Sequence, residues 1–271
     1  MQKLQTKLAE IRKIEKAKRP ALMTHVVLGY PSLKESIAIV KAMADSGASI
    51  IELQIPFSDP MADGPTIMAA NEAALKNGLK VKDCFAAAEK LAKELPNTPL
   101  LFMSYFNILY CYNKGKNGVR NFFKDTQAAG VSGVIVPDIP AEDTGEEFWS
   151  DAKKFKVAPI PVVSPVSTED RLKLIKKVTQ DSFVYCVSTT GTTGARKDLP
   201  PDIKQYLSRV RKIFNQPLAV GFGISTREQV EVVGQHAEIA IVGSAMVDKI
   251  KSSSSKDLLK VVSKFTKELL F

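Results

Sequence analysis

Eight short apolar runs are spaced along the whole chain, and they limit what it can fold into. They read "ALMTHVVL" from Ala21, "IIELQI" from Ile50, "LLFMSY" from Leu100, "GVIVPD" from Gly133, "APIPVV" from Ala158, "FVYCVS" from Phe183, "PLAVGF" from Pro217 and "EIAIVG" from Glu238. Each is apolar at successive positions instead of alternating with polar residues, so both faces of the strand must be covered, as in a parallel sheet. Helix-period segments lie between them. "SLKESIAIVKAMADSG" opens with Ser32 and Glu35 at capping-box spacing and stops at Gly47. "STREQVEVV" offers Ser225 with Glu228, and "STEDRLKLIKKV" offers Ser167 with Asp170. Eight strand–helix units without a break in composition predict a single (β/α)8 barrel, a TIM barrel, spanning residues 1–271. An open doubly wound sheet is the alternative, but it seldom uses so many units. Leu4, Leu8, Ile11 and Ile14 form one stripe on an extra N-terminal helix, which reads as a lid over the barrel bottom. "SSSSK" after Lys251 reads as a surface loop before a last helix, "DLLKVVSKFTKELLF".

Composition narrows the function. The chain is 45% hydrophobic and 25% charged, with 271 residues and room for a large core. No apolar run reaches the roughly 18 residues of a membrane span. The first residues lack the apolar core of a signal peptide, so a cytoplasmic location is expected. Cys84, Cys111 and Cys186 have no metal-like spacing and read as reduced thiols. The net charge is +9, yet lysine and glutamate are interspersed and no basic run alternates with aromatics. That argues against nucleic acid and toward an anionic substrate or acidic partner.

In such a barrel the chemistry sits at the carboxyl ends of the strands. Glu52 and Gln54 alternate with Leu53 and Ile55. If the apolar pair packs on helices, Glu52 faces the interior, where desolvation disfavours a charged carboxylate. Such a group suits holding and releasing a proton, although a buried glutamate bonded to a neighbouring strand reads equally well. Asp59 and Asp63 follow in a loop with Pro56, Pro60, Gly64 and Pro65, where aspartate is also common turn chemistry. "GFGIS" (Gly221–Ser225) and "GSAMV" (Gly243–Val247) follow the seventh and eighth runs. Glycine turns at these two places favour a phosphate held by backbone N–H groups. "TTGTTG" (Thr189–Gly194) follows the sixth. No lysine ends a strand to form a Schiff base, and His25 and His236 are the only histidines. Carboxylate acid–base chemistry without a metal is therefore preferred.

These residues together resemble a known family. "ELQIPFSDPMADGPTI" is similar to the signature of the tryptophan synthase α subunits, the indole-3-glycerol-phosphate lyases. The likeness runs along the chain through "LGYP", "YFN", "GVIVPDIP", "YCVSTTGTTGAR", "GFGIS" and "VGSAMV". It implies retro-aldol cleavage of indole-3-glycerol phosphate to indole and glyceraldehyde 3-phosphate. By resemblance, Glu52 protonates the ring carbon that bears the side chain and helps remove the proton of the adjacent hydroxyl. Asp63 accepts the indole N–H. Tyr185, Thr193, Phe222, Ile241, Met103 and Ile135 contact or line the substrate, and Gly194, Gly223, Gly243 and Ser244 hold the phosphate. Asp59 couples to a β subunit that carries pyridoxal phosphate in an α2β2 tetramer; the α chain carries no cofactor.

Three positions depart from the family. Gln54 stands at a usual glycine, His25 at a usual Phe or Tyr, and Ile108 at the proline after "YFN". If His25 and Gln54 point inward, they lie beside Glu52 in one barrel layer and bear on its proton; alternatively they satisfy each other. Two further readings stay open: another phosphosugar barrel enzyme, and a weakly catalytic α chain that mainly activates its partner.

Overall fold

The computed structural model describes residues 1–14, 19–140, 148–179, 182–187, 202–221 and 223–271. Its strands are β1 (Ala21–Val27), β2 (Ile50–Gln54), β3 (Leu100–Met103), β4 (Gly133–Ile135), β5 (Ala158–Ile160), β6 (Val162–Val163), β7 (Val184–Val187), β8 (Leu218–Gly221) and β9 (Ile239–Val242). Each falls within one of the apolar runs. All pair in parallel, in the order β5-β4-β3-β2-β1-β9-β8-β7-β6.

The two ends of that order are consecutive in the chain. β5 and β6 are one barrel stave divided at Pro161, which has no N–H to give to a ladder. The first half bonds to β4 and the second to β7. The Pro161 carbonyl still accepts from the Tyr185 amide at 2.9 Å. Counted so, eight staves close a nearly complete barrel with helices outside, which is the TIM-barrel fold.

Strand periodicity sorts the side chains. Ile51, Leu53 and Ile55 join the layer packed under the helices, with Leu22, Val26 and Phe102. Met23, Ile50, Leu101, Met103, Ile135, Ala219, Ile239 and Ile241 fill the interior. Leu4, Leu8 and Ile11 of the N-terminal helix Gln2–Ile14 belong to this interior cluster, so the helix closes the barrel bottom as expected. The side chain of Ile14 lies outside the described residues.

The helix caps show where local signals slipped. Ser32 caps Leu33–Asp45 by accepting from the Glu35 amide, and Gly47 follows at φ 106°. The other two caps fall one residue later than expected. Thr168, not Ser167, caps Glu169–Val178, because the Ser167 hydroxyl is used by the Ser164 amide. Thr226, not Ser225, caps Arg227–Gly234, with Gln229 closing the capping box. Ser225 instead donates to the Gln229 side chain through its amide and hydroxyl. The final helix runs Leu258–Leu270. Cys84, Cys111 and Cys186 are free, and burial pushes the Cys84 and Cys186 thiols up to about 12. Among the described residues, no helix is long and apolar enough to cross a membrane, and no group of His, Cys, Asp and Glu is arranged to hold a metal.

Candidate active site

The register of β1 against β2 sets the first part of the site. Met23 pairs with Ile50, His25 with Glu52 and Val27 with Gln54. His25 and Glu52 share the inward parity of Met23 and Ile50, so they meet inside the barrel. His25 Nδ1 lies 2.7 Å from Glu52 Oε1, with side-chain exposures of only 5% and 4%. Burial opposes a charge on the imidazole, but the Glu52 carboxylate, with lesser contributions from Asp63 and Gln54, raises its pKa above the usual histidine value. His25 Nε2 and Glu52 Oε2 are buried and have no hydrogen-bond partner among the described residues.

The loop after β2 sets the second part. Gly64 ends it and Pro65 starts the helix Pro65–Lys76, a position where proline loses no needed bond. The Asp63 amide donates back to the Pro60 carbonyl at 2.9 Å, closing the turn. The Asp63 carboxylate is buried and accepts from Gln54 Nε2 at 2.6 Å. Asn71, one face of that helix inward, donates to the Ile67 carbonyl at 2.9 Å and accepts from the Phe57 amide at 3.1 Å, pinning the loop at its start. Tyr105, just past β3, accepts from the Ala62 amide at 3.1 Å through its hydroxyl, whose own proton is directed to Asp63. Burial raises the Asp63 pKa; the bonds from Gln54 and Tyr105 and the charge of His25 oppose that rise.

The remaining expected residues divide by location. Met103, Ile135 and Ile241 lie in the interior cluster, and Tyr185 packs against it. A methyl group placed on Gly221 would lie 3.5 Å from both Ile241 Cβ and the Tyr185 hydroxyl. Burial, then the charges of Glu52 and Asp63, hold that phenol well above its ordinary pKa, so it stays neutral. Gly223 sits at φ 64°, where a side chain is strained. Gly243 caps the helix Ser244–Lys251, whose first residue Ser244 is buried. A methyl group on Gly243 would lie 3.7 Å from His25 Cβ, so this turn abuts the His25–Glu52 pair. Asp59 is exposed, its carboxylate accepting from the Ser58 hydroxyl, apart from Asp63. Thr193, Gly194 and Phe222 lie outside the described residues.

Tyr105 and Asn71 carry no distinguishing signal in the sequence. "YFN" belongs to the family-like motifs, but nothing local says that its tyrosine reaches the β2 loop. Asn71 sits in an ordinary helical pattern. Gln54 donates to Asp63 and also interacts with His25, whereas the bond to Glu52 comes from His25.

With this geometry in place, the likenesses to known proteins are specific. The family profile described as Tryptophan synthase alpha chain matches residues 11–269. A tryptophan synthase alpha chain from Petrotoga mobilis is 40% identical over 267 residues, covering 97% of this chain and 98% of its own. One from Thermoanaerobacter sp. is 39% identical over 252 residues, covering 93% of each. A solved Mycobacterium tuberculosis tryptophan synthase chain superposes with a TM-score of 0.86 at 33% identity, covering 97% of this chain and 96% of its own. The tryptophan synthase A-subunit of Pyrococcus furiosus gives 0.83 at 33% identity, covering 93% and 98%. A barrel mouth with two buried carboxylates, built on a sequence and backbone this similar, has one assignment: the chain belongs to the tryptophan synthase alpha chain family, the lyases that cleave indole-3-glycerol phosphate in tryptophan biosynthesis.

Proposed function

We propose that Glu52 and Asp63 carry the family's retro-aldol cleavage in this chain. Glu52 gives a proton to the indole carbon bearing the glycerol side chain. The carboxylate so formed takes the proton of the adjacent hydroxyl as the carbon–carbon bond breaks, and its electron pair restores the aromatic ring. Asp63 accepts the indole N–H and stabilises the positive charge that the ring carries in between. The observation that best supports this reading is that β2 and its loop bring two carboxylates, each with no more than 4% exposure, to one barrel mouth. Each is met by its own neighbour, His25 or Gln54.

In the same reading, Tyr185, Met103, Ile135, Ile241, Thr193 and Phe222 hold the flat ring. Gly194, Gly223, Gly243 and Ser244 receive the phosphate, the last two at a helix N-terminus. The chain works as one domain in the cytoplasm, without a cofactor of its own. Asp59, exposed on the loop that places Asp63, faces a β subunit carrying pyridoxal phosphate in an α2β2 assembly. Indole release by Glu52→Gln and Asp63→Asn tests the assignment. Each removes proton transfer or charge at nearly constant shape, and each should lower kcat by at least about 10²-fold. Turnover near wild type in either variant would sink it.

A further inference from the structure

His25 lies on the interior wall within proton-exchange distance of Glu52. Its Nδ1 is 2.7 Å from Oε1, both side chains are buried, and no water-exposed group mediates the contact. The other carboxylate oxygen, Oε2, has no hydrogen-bond partner among the described residues and is left for a reacting group. Behind the ring lies the Gly243 turn, where a methyl group would meet His25 Cβ at 3.7 Å and Cγ at 3.9 Å. We propose that His25 and Glu52 hold one catalytic proton between them and act as a single acid–base unit, His25 being a positioning residue and proton store. This rests on the reading of Glu52 as the acid–base carboxylate.

The proton balance closes. At rest the pair carries one proton, on Nδ1 or on Oε1. It passes through Glu52 to the ring carbon, leaving the pair without a proton and the ring with a positive charge. The substrate hydroxyl then gives its proton to Glu52 as the carbon–carbon bond breaks. The aldehyde forms, the bonding electrons return to the ring, and the proton returns to the pair. Nothing is oxidised and no co-reactant is needed.

The surroundings favour such sharing. The titratable groups about His25 are Glu52 from β2 and Asp63 from its loop. Tyr185 from β7 feels both carboxylates, and Tyr105 faces Asp63. The β9 side brings only Gly243, with Ile67 of the following β2 helix beside it. Burial disfavours the charged imidazole, and the two carboxylates favour it. Two coupled groups lose their last proton at a value that belongs to the pair. With the His25 pKa raised above the usual histidine value, the pair keeps its proton to higher pH than an ordinary imidazole would.

The test compares kcat/KM for indole release against pH in the full chain and its His25→Phe and His25→Gln variants. Glutamine keeps a hydrogen-bond donor but cannot titrate, which separates proton storage from mere support, and it carries the test if phenylalanine fails to fold. Both variants should move the alkaline limb to lower pH, by about one unit. With ¹⁵N-labelled imidazole and only two histidines to assign, His25 should titrate above its ordinary range in the wild type. In Glu52→Gln it should fall below that range, since burial remains and the partner charge has gone. A His25→Gln profile superimposed on wild type, or a His25 titration unmoved by Glu52→Gln, overturns the proposal while leaving an inactive Glu52→Gln in place. Wild-type turnover by Glu52→Gln removes the acid–base role of Glu52 and the pairing with it.

Discussion

The side-chain amide of Gln54 donates to Oδ2 of Asp63 across 2.6 Å, joining the end of β2 to the loop that β2 itself feeds. A strand residue thus reaches forward nine positions to hold the carboxylate that the proposed mechanism needs as an anion. A glycine at this place could not do so.

Gln54→Gly should therefore weaken the charged form of Asp63. The Gln54 bond is the largest influence opposing burial on that group. Without it, Asp63 keeps its proton to higher pH, and the acid limb of the kcat/KM profile for indole release moves upward. The loss should be about tenfold on the acid side, the scale of a hydrogen bond to a charged group, and small on the alkaline side. An unmoved acid limb would show that the bond has no hold on the Asp63 proton.

Asp63→Asn should lose activity but gain stability at neutral pH. The folded chain raises the Asp63 pKa above its unfolded value. Any stability tied to that group is fully present below the unfolded value and is lost as pH rises through the folded one. Asparagine has no such dependence and can still accept from Gln54. Its melting temperature should exceed that of wild type at pH 7, with a gap that narrows toward pH 4. A variant less stable than wild type at pH 7 would contradict the buried-carboxylate account.

A methyl group on Gly243 would meet only ordinary contacts, the nearest at 3.7 Å. Side-chain space therefore does not demand glycine. If the position is bare so that a phosphate can approach, Gly243→Ala should cost less than about 1 kcal/mol of stability. It should still raise KM for indole-3-glycerol phosphate by about tenfold, equivalent to ~1.4 kcal/mol. An unchanged KM would refute the placement of the phosphate.

Leu4 is fully buried among Met23, Ile50, Leu101 and Ile239 at the barrel bottom. Leu4→Ala should cost about 2–5 kcal/mol by leaving a cavity in the plug. Below the melting transition, kcat per folded molecule should stay near wild type, because the chemistry lies at the opposite end. Denaturant titration with parallel indole assays would check both, and a cost under about 1 kcal/mol would mean that the helix is loosely docked.

Much of this molecule is legible in the order of its residues. Two-sided apolar runs and the segments between them determine parallel strands and outer helices, because backbone pairing and burial on both faces leave few other solutions. The alternation in "IELQI" likewise turns Glu52 and Gln54 to the side opposite Leu53 and Ile55. Which neighbour each inward group then meets is not local information. His25 finds Glu52 only through the β1–β2 register, across 27 positions of chain. Tyr105 reaches Ala62 across 43, and Gly243 comes up against His25 only when the barrel closes. The capping residues slipped by one place for a related reason: two adjacent hydroxyls carry the same local signal, and the surrounding turn decides which one is free. Sequence by itself determined the staves, their inward faces and the family signature. Tertiary structure alone decided the pairings of the buried polar groups, because those depend on register and closure between strands far apart in the chain.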